Sequence, residues 1–406
     1  MPMLRRLGFA LLLPASAALT FSVLAFRTSG APQLAARTDA PLTVTTTLPA
    51  WRAPGVPVSV SGFAGSSEPV VLRAHSAPVA WANSGRLGRY VLGFTPRASG
   101  RYRLVVTAGR RRAAAGTLVV RPLVLDAVGD VTFGEDVGPA LAAHGGAYPW
   151  AFVAPTLRAA DITVGNLETA ASTRGVAAAK EYTFRGPPSA LRPVHDVAGF
   201  DVLTLANNHA VDFGRDALMD TVRAVRAAGI RPIGAGADDA QARRPAIVEA
   251  GGLKVAFLGY SDVNPLGFNA TSTTPGTAKA DVAEIAADVH TALRRADLAV
   301  CFFHWGTELH PRPDARQQQF AAACLNAGAR LVLGAHPHVL GGVAQPTRRS
   351  IVAWTLGNFV FPSGGLTGRT AILHVALGAD GVRGYRLLPV RIDGFRPRLS
   401  RAAQPG

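Results

Sequence analysis

The stretch Ala299–Leu340 constrains the fold more than any other part of the chain. It opens with a short apolar run that ends at His304, continues as a helical segment, and closes with a second apolar run that leads to His336 and His338. Strand, helix and strand in this order form the crossover unit of a parallel sheet, in which both strands end on the same edge. His304 should therefore lie near His336 and His338, and three converging imidazoles predict a metal site.

Alternating strands and helices extend this pattern from Leu123 to about Arg391, which predicts an α/β domain. The apolar strand candidates are Leu123–Val128, Asp161–Val164, Val202–Leu205, Lys254–Gly259, Ala299–Phe303 and Arg330–Leu333. Helical candidates lie between them at residues 214–228, 280–296 and 314–327. Three late β-rich runs predict antiparallel strands that either close this sheet or form a second one: Ile351–Phe361, Thr370–Leu377 and Val382–Ile392.

Side chains that can bind metal ions follow five of these strands. They are Asp130, Glu168, the group Asn207, Asn208 and His209 with Asp212, then His304, and last His336 with His338. Because the carboxyl ends of parallel strands meet at one edge, we expect these side chains to lie close together. A single Gly-Asp or Gly-Asn pair after a strand is ordinary turn chemistry. Potential metal ligands after five strands of one sheet indicate a site. Imidazole, carboxylate and amide ligands suit Mn, Fe or Zn better than Ca, and two such ions can clamp a phosphoryl group.

Residues 1–38 have the pattern of a targeting segment followed by a linker. Arg5 and Arg6 precede an uncharged, mostly apolar run, Leu7–Phe26. This pattern predicts export, with the segment acting either as a cleaved signal peptide or as a membrane anchor. The positive-inside rule then places the rest of the chain outside the cytoplasm.

Residues 39–122 contain short β-rich runs separated by Gly, Pro, Ser and Asn. The runs are Leu42–Thr47, Val56–Gly62, Val70–His75, Arg89–Phe94, Tyr102–Ala108 and Thr117–Arg121. Their spacing predicts a small all-β sandwich, and the stretch GRYVLGFTPRASGRYRLVV resembles an immunoglobulin-like bacterial surface module. The segment has no cluster of titratable groups, so we interpret it as a spacer or adhesion module.

The formal charge of +16 over 406 residues suggests a nucleic-acid partner when it is taken alone. Only three of the 42 basic residues are lysines, and the arginines are scattered, which is typical of a GC-rich coding bias. We therefore expect no nucleic-acid partner, while an attraction to anionic polymers or envelope surfaces stays open. Cys301 and Cys324 are too few for a disulfide framework; they are expected to be two buried free thiols, although they could touch across the crossover unit.

A series of motifs from about residue 124 to 395 resembles a known family. The motifs are GDVTFGEDV, VGNLETA, LANNHAVDFG, HWGTE, GAHPHV and TLGNFVF. In this order they are similar to those of the CapA-type poly-gamma-glutamate capsule biosynthesis proteins, within the calcineurin-like metallophosphoesterase superfamily. The resemblance implies a metallophosphoesterase-like β-sandwich core flanked by helices, over residues 123–398, with two divalent ions of unspecified identity.

The same resemblance implies roles for individual residues. Asp130 corresponds to the first metal-binding aspartate, Glu168 takes the place of the bridging carboxylate, and Asn208 corresponds to the metal-binding asparagine. His304, His336 and His338 correspond to the family's metal-binding histidines, and His209 to its catalytic histidine. Two positions depart from the superfamily pattern, because Thr132 replaces a histidine and the sequence GNLE replaces GDxxD. One of the two metal sites is therefore expected to be weaker or differently selective.

Further roles are predicted around these ligands. His209 would stabilise the transition state or protonate the leaving group, and Asp212 either orients His209 or caps the following helix. Arg185 and Asn207 are candidates for substrate binding, with a solvated surface position as the alternative for Arg185. Glu308 and Asn358 would support the metal ligands, or serve as simple turn residues.

These patterns support two functions. The first is an exported, metal-dependent hydrolase that acts on a phosphoester or an anionic envelope polymer. The second is a non-catalytic accessory subunit of a polyglutamate synthesis or export complex, together with membrane-embedded partner subunits. A surface adhesin acting through the β-rich segment is a third interpretation with little beyond composition to support it.

Overall fold

The computed structural model describes residues 40–400. The predicted targeting segment lies outside these residues. Within them, no helix combines the length and apolar character needed to cross a bilayer.

Residues 43–120 form two small sheets. Their strands are β1 (Thr43–Val44), β2 (Trp51–Arg52), β3 (Val58–Phe63), β4 (Pro69–Ala74), β5 (Ala77–Asn83), β6 (Arg89–Phe94), β7 (Gly100–Ala108) and β8 (Arg111–Val120). The sheet orders are β1-β3-β6 and β2-β8-β7-β4-β5. Alternate side chains, such as Val58 and Val60 on β3 and Leu72 on β4, fill one shared core. Each of the six predicted β-rich runs overlaps a strand, whereas β5 was missed because its side chains are largely exposed.

The remaining described residues alternate strands and helices. The strands are β9 (Leu123–Val131), β10 (Ile162–Leu167), β11 (Ala170–Ala171), β12 (Arg185–Gly186), β13 (Val202–Thr204), β14 (Arg231–Ile233), β15 (Ala235–Gly236), β16 (Ala246–Ala250), β17 (Leu253–Ser261), β18 (Gly276–Thr277), β19 (Leu298–His304), β20 (Leu331–Ala335), β21 (Val343–Thr347), β22 (Ser350–Ala353), β23 (Asn358–Val360), β24 (Arg369–Gly378), β25 (Gly381–Asp393) and β26 (Arg396–Leu399). The helices are α1 (Val137–His144), α2 (Ala154–Leu157), α3 (Leu191–Asp196), α4 (Arg215–Ala227), α5 (Asp239–Ala242), α6 (Val282–Leu293) and α7 (Ala315–Asn326), with 3-10 turns at Tyr148–Trp150 and Pro188–Ala190.

Two large mixed sheets stack face to face. One has the order β14-β13-β10-β9-β24-β25-β26, with β23 also paired to β9, and the other has the order β16-β17-β19-β20-β22-β21. Apolar residues of both sheets form the core between them. Helices α3 and α4 cover the outer face of the first sheet, and α6 and α7 cover that of the second. This arrangement agrees with the predicted α/β class and two-layered β core.

The predicted crossover around His304 is present. Strands β19 and β20 pair in parallel, with α7 between them in the chain. Alternate residues of β19 face opposite cores, so the whole strand is buried: Val300 contributes to the core between the sheets and Phe303 to the core under α7. Asp314 caps α7 through a reciprocal pair of hydrogen bonds with Gln317. The predicted helix over residues 314–327 is thus confirmed to within one residue at each end.

The prediction of two free thiols is wrong, because Cys301 and Cys324 form a disulfide bond. Cys301 lies on the face of β19 that packs against α7, and Cys324 lies on the buried side of that helix. Their Cα atoms are 6.7 Å apart, within the range that a disulfide bridges. The spacing of two cysteines along the sequence does not reveal this, since it depends on how the helix lies on the strand.

Candidate metal centre

The predicted ligands come from the carboxyl ends of strands in both large sheets. Strand β9 carries Asp130, and β10 leads to Glu168; both belong to the first sheet. In the second sheet, His304 ends β19, while His336 follows β20. Parallel pairing of β9 with β10 and of β19 with β20 brings these ends to one edge of the sandwich. The predicted convergence is therefore present, although it joins two stacked sheets rather than one.

Five side chains of this cluster are close enough to hold cations. Glu168, His336 and His338 form one group, and Asp130, Glu168 and His304 form another, with ligand atoms within 4.8 Å of one another in each. Glu168 belongs to both groups, and its Oε1 lies 3.5 Å from Nε2 of His304. Among the described residues, Glu168 is thus the side chain common to both groups.

The buried polar atoms of this cluster fit a bound cation. Glu168 Oε1 and His336 Nδ1 are buried and have no hydrogen-bond partner. Leaving such an atom unpaired costs about 1–3 kcal/mol, which a coordinating ion would offset. Burial raises the pKa of the Glu168 carboxyl well above its usual value, and the neighbouring charge of Asp130 adds to the effect. A bound cation would therefore stabilise the ionised form of this carboxylate.

Two of the histidines are neutral at physiological pH. Burial lowers the pKa of His304 well below its usual value and that of His336 to about 4. The neutral imidazole is the form that binds metal ions. These two side chains can therefore bind a metal ion without first losing a proton.

His338 differs from the other two histidines. Burial acts to lower its pKa, but the hydrogen bond to Asp130 and the charge of Glu168 outweigh this and raise the pKa to about 10. Its Nδ1 lies 3.3 Å from Asp130 Oδ2 and 2.7 Å from Asn358 Oδ1. Metal binding at His338 would therefore release a proton. Asn358, predicted to support the ligands, contacts one of them directly.

Two asparagines complete the inner part of the cluster. Oδ1 of Asn208 lies 2.8 Å from Nε2 of His304. Nδ2 of Asn166 donates to Asp130 Oδ1 at 2.7 Å and lies 3.2 Å from Nδ1 of His304. Asn166 was not among the predicted site residues. The available signal was its position in the sequence GNLE, where the superfamily pattern has an aspartate.

His209 is held by a second polar group beside the cluster. Its Nδ1 donates to Asp212 Oδ2 at 2.7 Å, and its Nε2 lies 3.8 Å from Glu168 Oε1. Lys180 Nζ donates to the other oxygen of Asp212 and to the carbonyl of Asn208, both at 2.7 Å. Burial lowers the pKa of His209 despite its bond to Asp212. His209 is therefore oriented with Nε2 towards the predicted metal ligands.

Asp212 does not cap the following helix, so that alternative is wrong. The N-cap of α4 is Gly214, which makes no side-chain cap. Asp212 Oδ2 instead accepts a hydrogen bond from the backbone N–H of Phe184 at 2.7 Å, besides that from His209. The ring of Phe184 stacks on His209 with centroids 4.0 Å apart. Lys180 and Phe184 belong to one segment, and no local pattern in the sequence indicates that this segment contacts His209.

The two residues predicted to bind substrate, Asn207 and Arg185, both make hydrogen bonds within the protein. Asn207 is fully buried and donates to Asn166 Oδ1 and to the carbonyl of Leu167, so it braces the cluster from within the protein. The Arg185 guanidinium donates to the carbonyls of Arg174 and Gly175 and lies 3.6 Å from the centroid of Phe213.

Glu308 is exposed, and within residues 40–400 its carboxylate makes no hydrogen bond or ion pair to a predicted ligand. Thr132, which replaces the superfamily histidine, is buried and shares a hydrogen bond with the Thr169 hydroxyl at 2.7 Å. The hydroxyl of Thr132 is thus engaged within the protein rather than directed at the cluster.

The backbone around the ligands is strained and tightly packed. His336 and His338 have φ values of 94° and 58°, in a region that costs a non-glycine residue about 1–3 kcal/mol. At Gly129, next to Asp130, a Cβ atom would lie 1.7 Å from the carbonyl oxygen of Gly357. Only glycine allows the two segments to approach so closely, and this approach helps to position Asp130.

Buried carboxylates and imidazoles at the carboxyl ends of two stacked sheets define an α/β protein with a candidate site for divalent metal ions. The chain belongs to the bacterial capsule synthesis protein family PGA_cap, whose model matches residues 124–363. It is 31% identical over 274 residues to the PGA biosynthesis protein CapA of Bacillus subtilis, covering 66% of this chain and 72% of that protein.

The chain is also similar to a second sequence relative and to a solved structure. A probable polyglutamine synthesis accessory protein of Mycobacterium tuberculosis is 32% identical over 286 residues, which cover 63% of this chain and 73% of that protein. A solved phosphatase structure from Mycoplasma pneumoniae has a TM-score of 0.43 and 14% identity, over 66% of this chain and 94% of that one.

Proposed function

We propose that this protein is an exported, metal-dependent hydrolase of capsular polyglutamate synthesis, acting on a phosphoester or on the anionic polymer itself. The observation that carries the proposal is the buried carboxylate of Glu168, which is shared between two groups of potential ligands and has an oxygen without a partner. Membership of the capsule synthesis family supports the biological setting.

Named residues would hold two divalent ions of the Mn, Fe or Zn type. Asp130, Glu168 and His304, with Asn208 beside His304, would hold one ion, and Glu168, His336 and His338 the other. Such ions lower the pKa of water and neutralise charge on a phosphoryl or carbonyl oxygen.

The protein's own contribution to the reaction lies in His209. Asp212 holds the proton on Nδ1 of His209, and Lys180 holds Asp212, so Nε2 faces the cluster. From this position Nε2 can donate a proton to a leaving group or a hydrogen bond to developing negative charge.

Export is part of the proposal. The pattern of residues 1–38 supports it, as does the disulfide bond between Cys301 and Cys324, since such bonds persist mainly in oxidising compartments. We assign an immunoglobulin-like fold to the sandwich of residues 43–120 as part of the same proposal, because two packed sheets of short strands suit an extracytoplasmic module.

A non-catalytic accessory subunit is the second candidate function. The Mycobacterium tuberculosis relative is named as a probable polyglutamine synthesis accessory protein, which supports this candidate. The replacement of a superfamily histidine by Thr132 also favours it, because this hydroxyl is bonded to Thr169. An accessory role requires the fold and membrane-embedded partners, but no turnover.

Metal content and hydrolysis, measured together, test the proposal. The parent chain and the variants His304→Ala, His336→Ala and His290→Ala would be analysed by metal mass spectrometry and assayed with a phosphodiester and with polyglutamate. His290 is an exposed histidine on α6 and serves as the matched control.

We expect bound transition metal and hydrolysis in the parent and in His290→Ala, and loss of both in the two ligand variants. A parent that binds no Mn, Fe or Zn would overturn the hydrolase proposal. Metal binding without turnover of either substrate class would favour the accessory subunit.

A further inference from the structure

The positive charge of the chain is concentrated in the β-sandwich. Between residues 40 and 122 the sequence has eleven arginines, and Glu68 is its only acidic residue. Residues 123–406 carry 27 basic and 24 acidic residues, which nearly balance. A coding bias towards arginine would affect the whole chain equally, so it does not explain why acidic residues are missing from this one segment.

Strand register places four of these arginines on one face. In the five-stranded sheet, Leu72 and Leu104 point into the core. Side chains of the opposite parity form the outer face, which carries four arginines and one tryptophan, called here the arginine face: Arg73 on β4, Trp81 on β5, Arg101 and Arg103 on β7, and Arg112 on β8. Paired residues share a face, so Arg112, Thr107, Val71 and Trp81 form one row across four strands.

Three of the four arginines of the arginine face, and its tryptophan, are available to a ligand, whereas Arg73 donates a hydrogen bond to the carbonyl of Ser76. Arg101, Arg103 and Arg112 are exposed, and none of them makes a side-chain hydrogen bond or ion pair within residues 40–400. Trp81 is 78% exposed, although tryptophan normally buries most of its surface. In contrast, Arg111 pairs with Glu68, and Arg121 pairs with Asp161. Charges of one sign without partners repel each other, and an anionic ligand would relieve this repulsion.

The spacing of the face fits a chain with repeated carboxylates. Side chains two residues apart on a strand, such as Arg101 and Arg103, are about 6.8 Å apart, and neighbouring strands are about 4.8 Å apart. A guanidinium accepts a carboxylate in a forked pair of hydrogen bonds, and the exposed indole of Trp81 offers an apolar surface for methylene groups. Polyglutamate combines carboxylates and methylene groups in each repeat.

We propose that the arginine face is a binding surface for a carboxylate polymer of the polyglutamate class, separate from the metal centre. The choice of polymer rests on the proposed function, whereas the surface rests on the strand register and the charge. The sandwich would keep the polymer on the protein while the α/β part acts on its substrate.

Binding of polyglutamate to the full chain, measured by calorimetry at low and high salt, tests this inference. The test variant neutralises three arginines of the face: Arg101→Gln, Arg103→Gln and Arg112→Gln. The matched control neutralises three exposed arginines that line a cavity of about 440 Å³ between β14 and β16 and make no side-chain ion pair within the described chain: Arg226→Gln, Arg231→Gln and Arg244→Gln. Both variants change the net charge by the same amount. A second test variant, Trp81→Ala, leaves the charge unchanged.

We expect about tenfold weaker binding by the triple variant of the face, less than twofold weakening by the control, and weaker binding by Trp81→Ala. Equal weakening by the two triple variants would overturn the inference, because it would show attraction by net charge alone. Absence of binding by the parent, or tighter binding to vesicles of phosphatidylglycerol than to polyglutamate, would overturn it too.

The inference and the proposed function fail in different ways. Metal content and hydrolysis of a phosphodiester should be unchanged in the triple variant of the face. If the parent binds polyglutamate through this face but holds no metal, the hydrolase proposal fails and the binding surface stands. If metal-dependent hydrolysis is present but the face variant binds polyglutamate as the parent does, only the inference fails.

Discussion

The buried carboxylate of Glu168 depends on its neighbours for a stable protonation state. Asp130 lies close enough to raise its pKa, while His304 and His336 are neutral and supply no compensating charge. His338 supplies a compensating positive charge, because its hydrogen bond to Asp130 helps to keep the imidazole protonated. A divalent ion would replace this proton, so the cluster is arranged to exchange protons for metal.

Asp212 should matter for hydrolysis but not for metal binding. The variant Asp212→Asn removes the carboxylate that holds the proton on Nδ1 of His209, so the imidazole no longer keeps its orientation and tautomer. We expect kcat for a phosphodiester to fall about 100-fold or more, with metal content unchanged. Asp216→Asn, an exposed position on α4, is the matched control and should retain activity. Loss of metal together with activity would contradict this assignment.

Asp126 should make stability depend on pH. Burial raises its pKa to about 6, although the His374 imidazole, whose Nδ1 lies 2.8 Å away, acts to lower it. The folded protein thus binds this proton more tightly than the unfolded chain. The contribution to stability is complete below about pH 4 and is lost as pH rises through about 6.

The variant Asp126→Asn should therefore gain stability relative to the parent as pH increases. We expect the difference in unfolding free energy between parent and variant to change by about 2–3 kcal/mol from pH 4 to pH 8. Urea denaturation at both pH values measures it, with the exposed Asp380→Asn as a control that should show no such change. A difference that is independent of pH would contradict the raised pKa.

At the level of elements, the crossover from β19 through α7 to β20 carries both the disulfide and one of the ligands. The reciprocal cap at Asp314 defines where α7 begins, and burial of Phe320 beneath the helix defines which side faces the sheet. Cys301 lies in the same strand as His304, so the disulfide ties α7 to the strand that presents this ligand.

Removing the disulfide should destabilise the fold. The bond joins residues 23 apart in sequence, and its loss through the double variant Cys301→Ala and Cys324→Ala should cost about 2–4 kcal/mol of unfolding free energy. Guanidinium denaturation with and without reductant measures the effect. The parent should lose stability on reduction, whereas the double variant should not respond. A parent that is insensitive to reductant under conditions that expose both thiols would contradict the prediction.

On the scale of the whole molecule, the β-sandwich and the α/β part share structure. Ala53 and Val56 pack into the core between the two large sheets. Arg121 lies 3.8 Å from the ring centroid of Trp51 and donates two hydrogen bonds to Asp161, at 2.6 and 2.7 Å. These contacts join the β-sandwich to the α/β part.

Trp51 should therefore contribute to the stability of the whole chain. We expect Trp51→Ala to lower the unfolding free energy by about 2 kcal/mol, because it removes a half-buried ring from the contact with Arg121 and the large core. Trp81→Ala is the matched control, since the exposed Trp81 should contribute less than about 0.5 kcal/mol. Thermal unfolding compares the two. Equal effects would show that the sandwich does not stabilise the rest of the protein.

Much of the secondary structure could be predicted from periodicity and caps. The strand before His304 and the helix after Asp314 were placed to within a residue or so, because apolar runs and capping residues act locally. Strands β2 and β5 were missed, since a two-residue strand and a longer but largely exposed strand leave little apolar signal. The convergence of the ligands could be predicted because parallel strands end on a common edge.

The sequence by itself determined which residue types follow which strands, and hence the donor set of carboxylate, amide and imidazole. Only the tertiary structure decided which of these side chains contact one another. The place of Glu168 in both groups, the contact of Asn166 with Asp130, and the bond of Lys180 to Asp212 depend on segments far apart in the chain. Such distances are set by how two sheets stack and loops cross, which no local pattern of residues encodes.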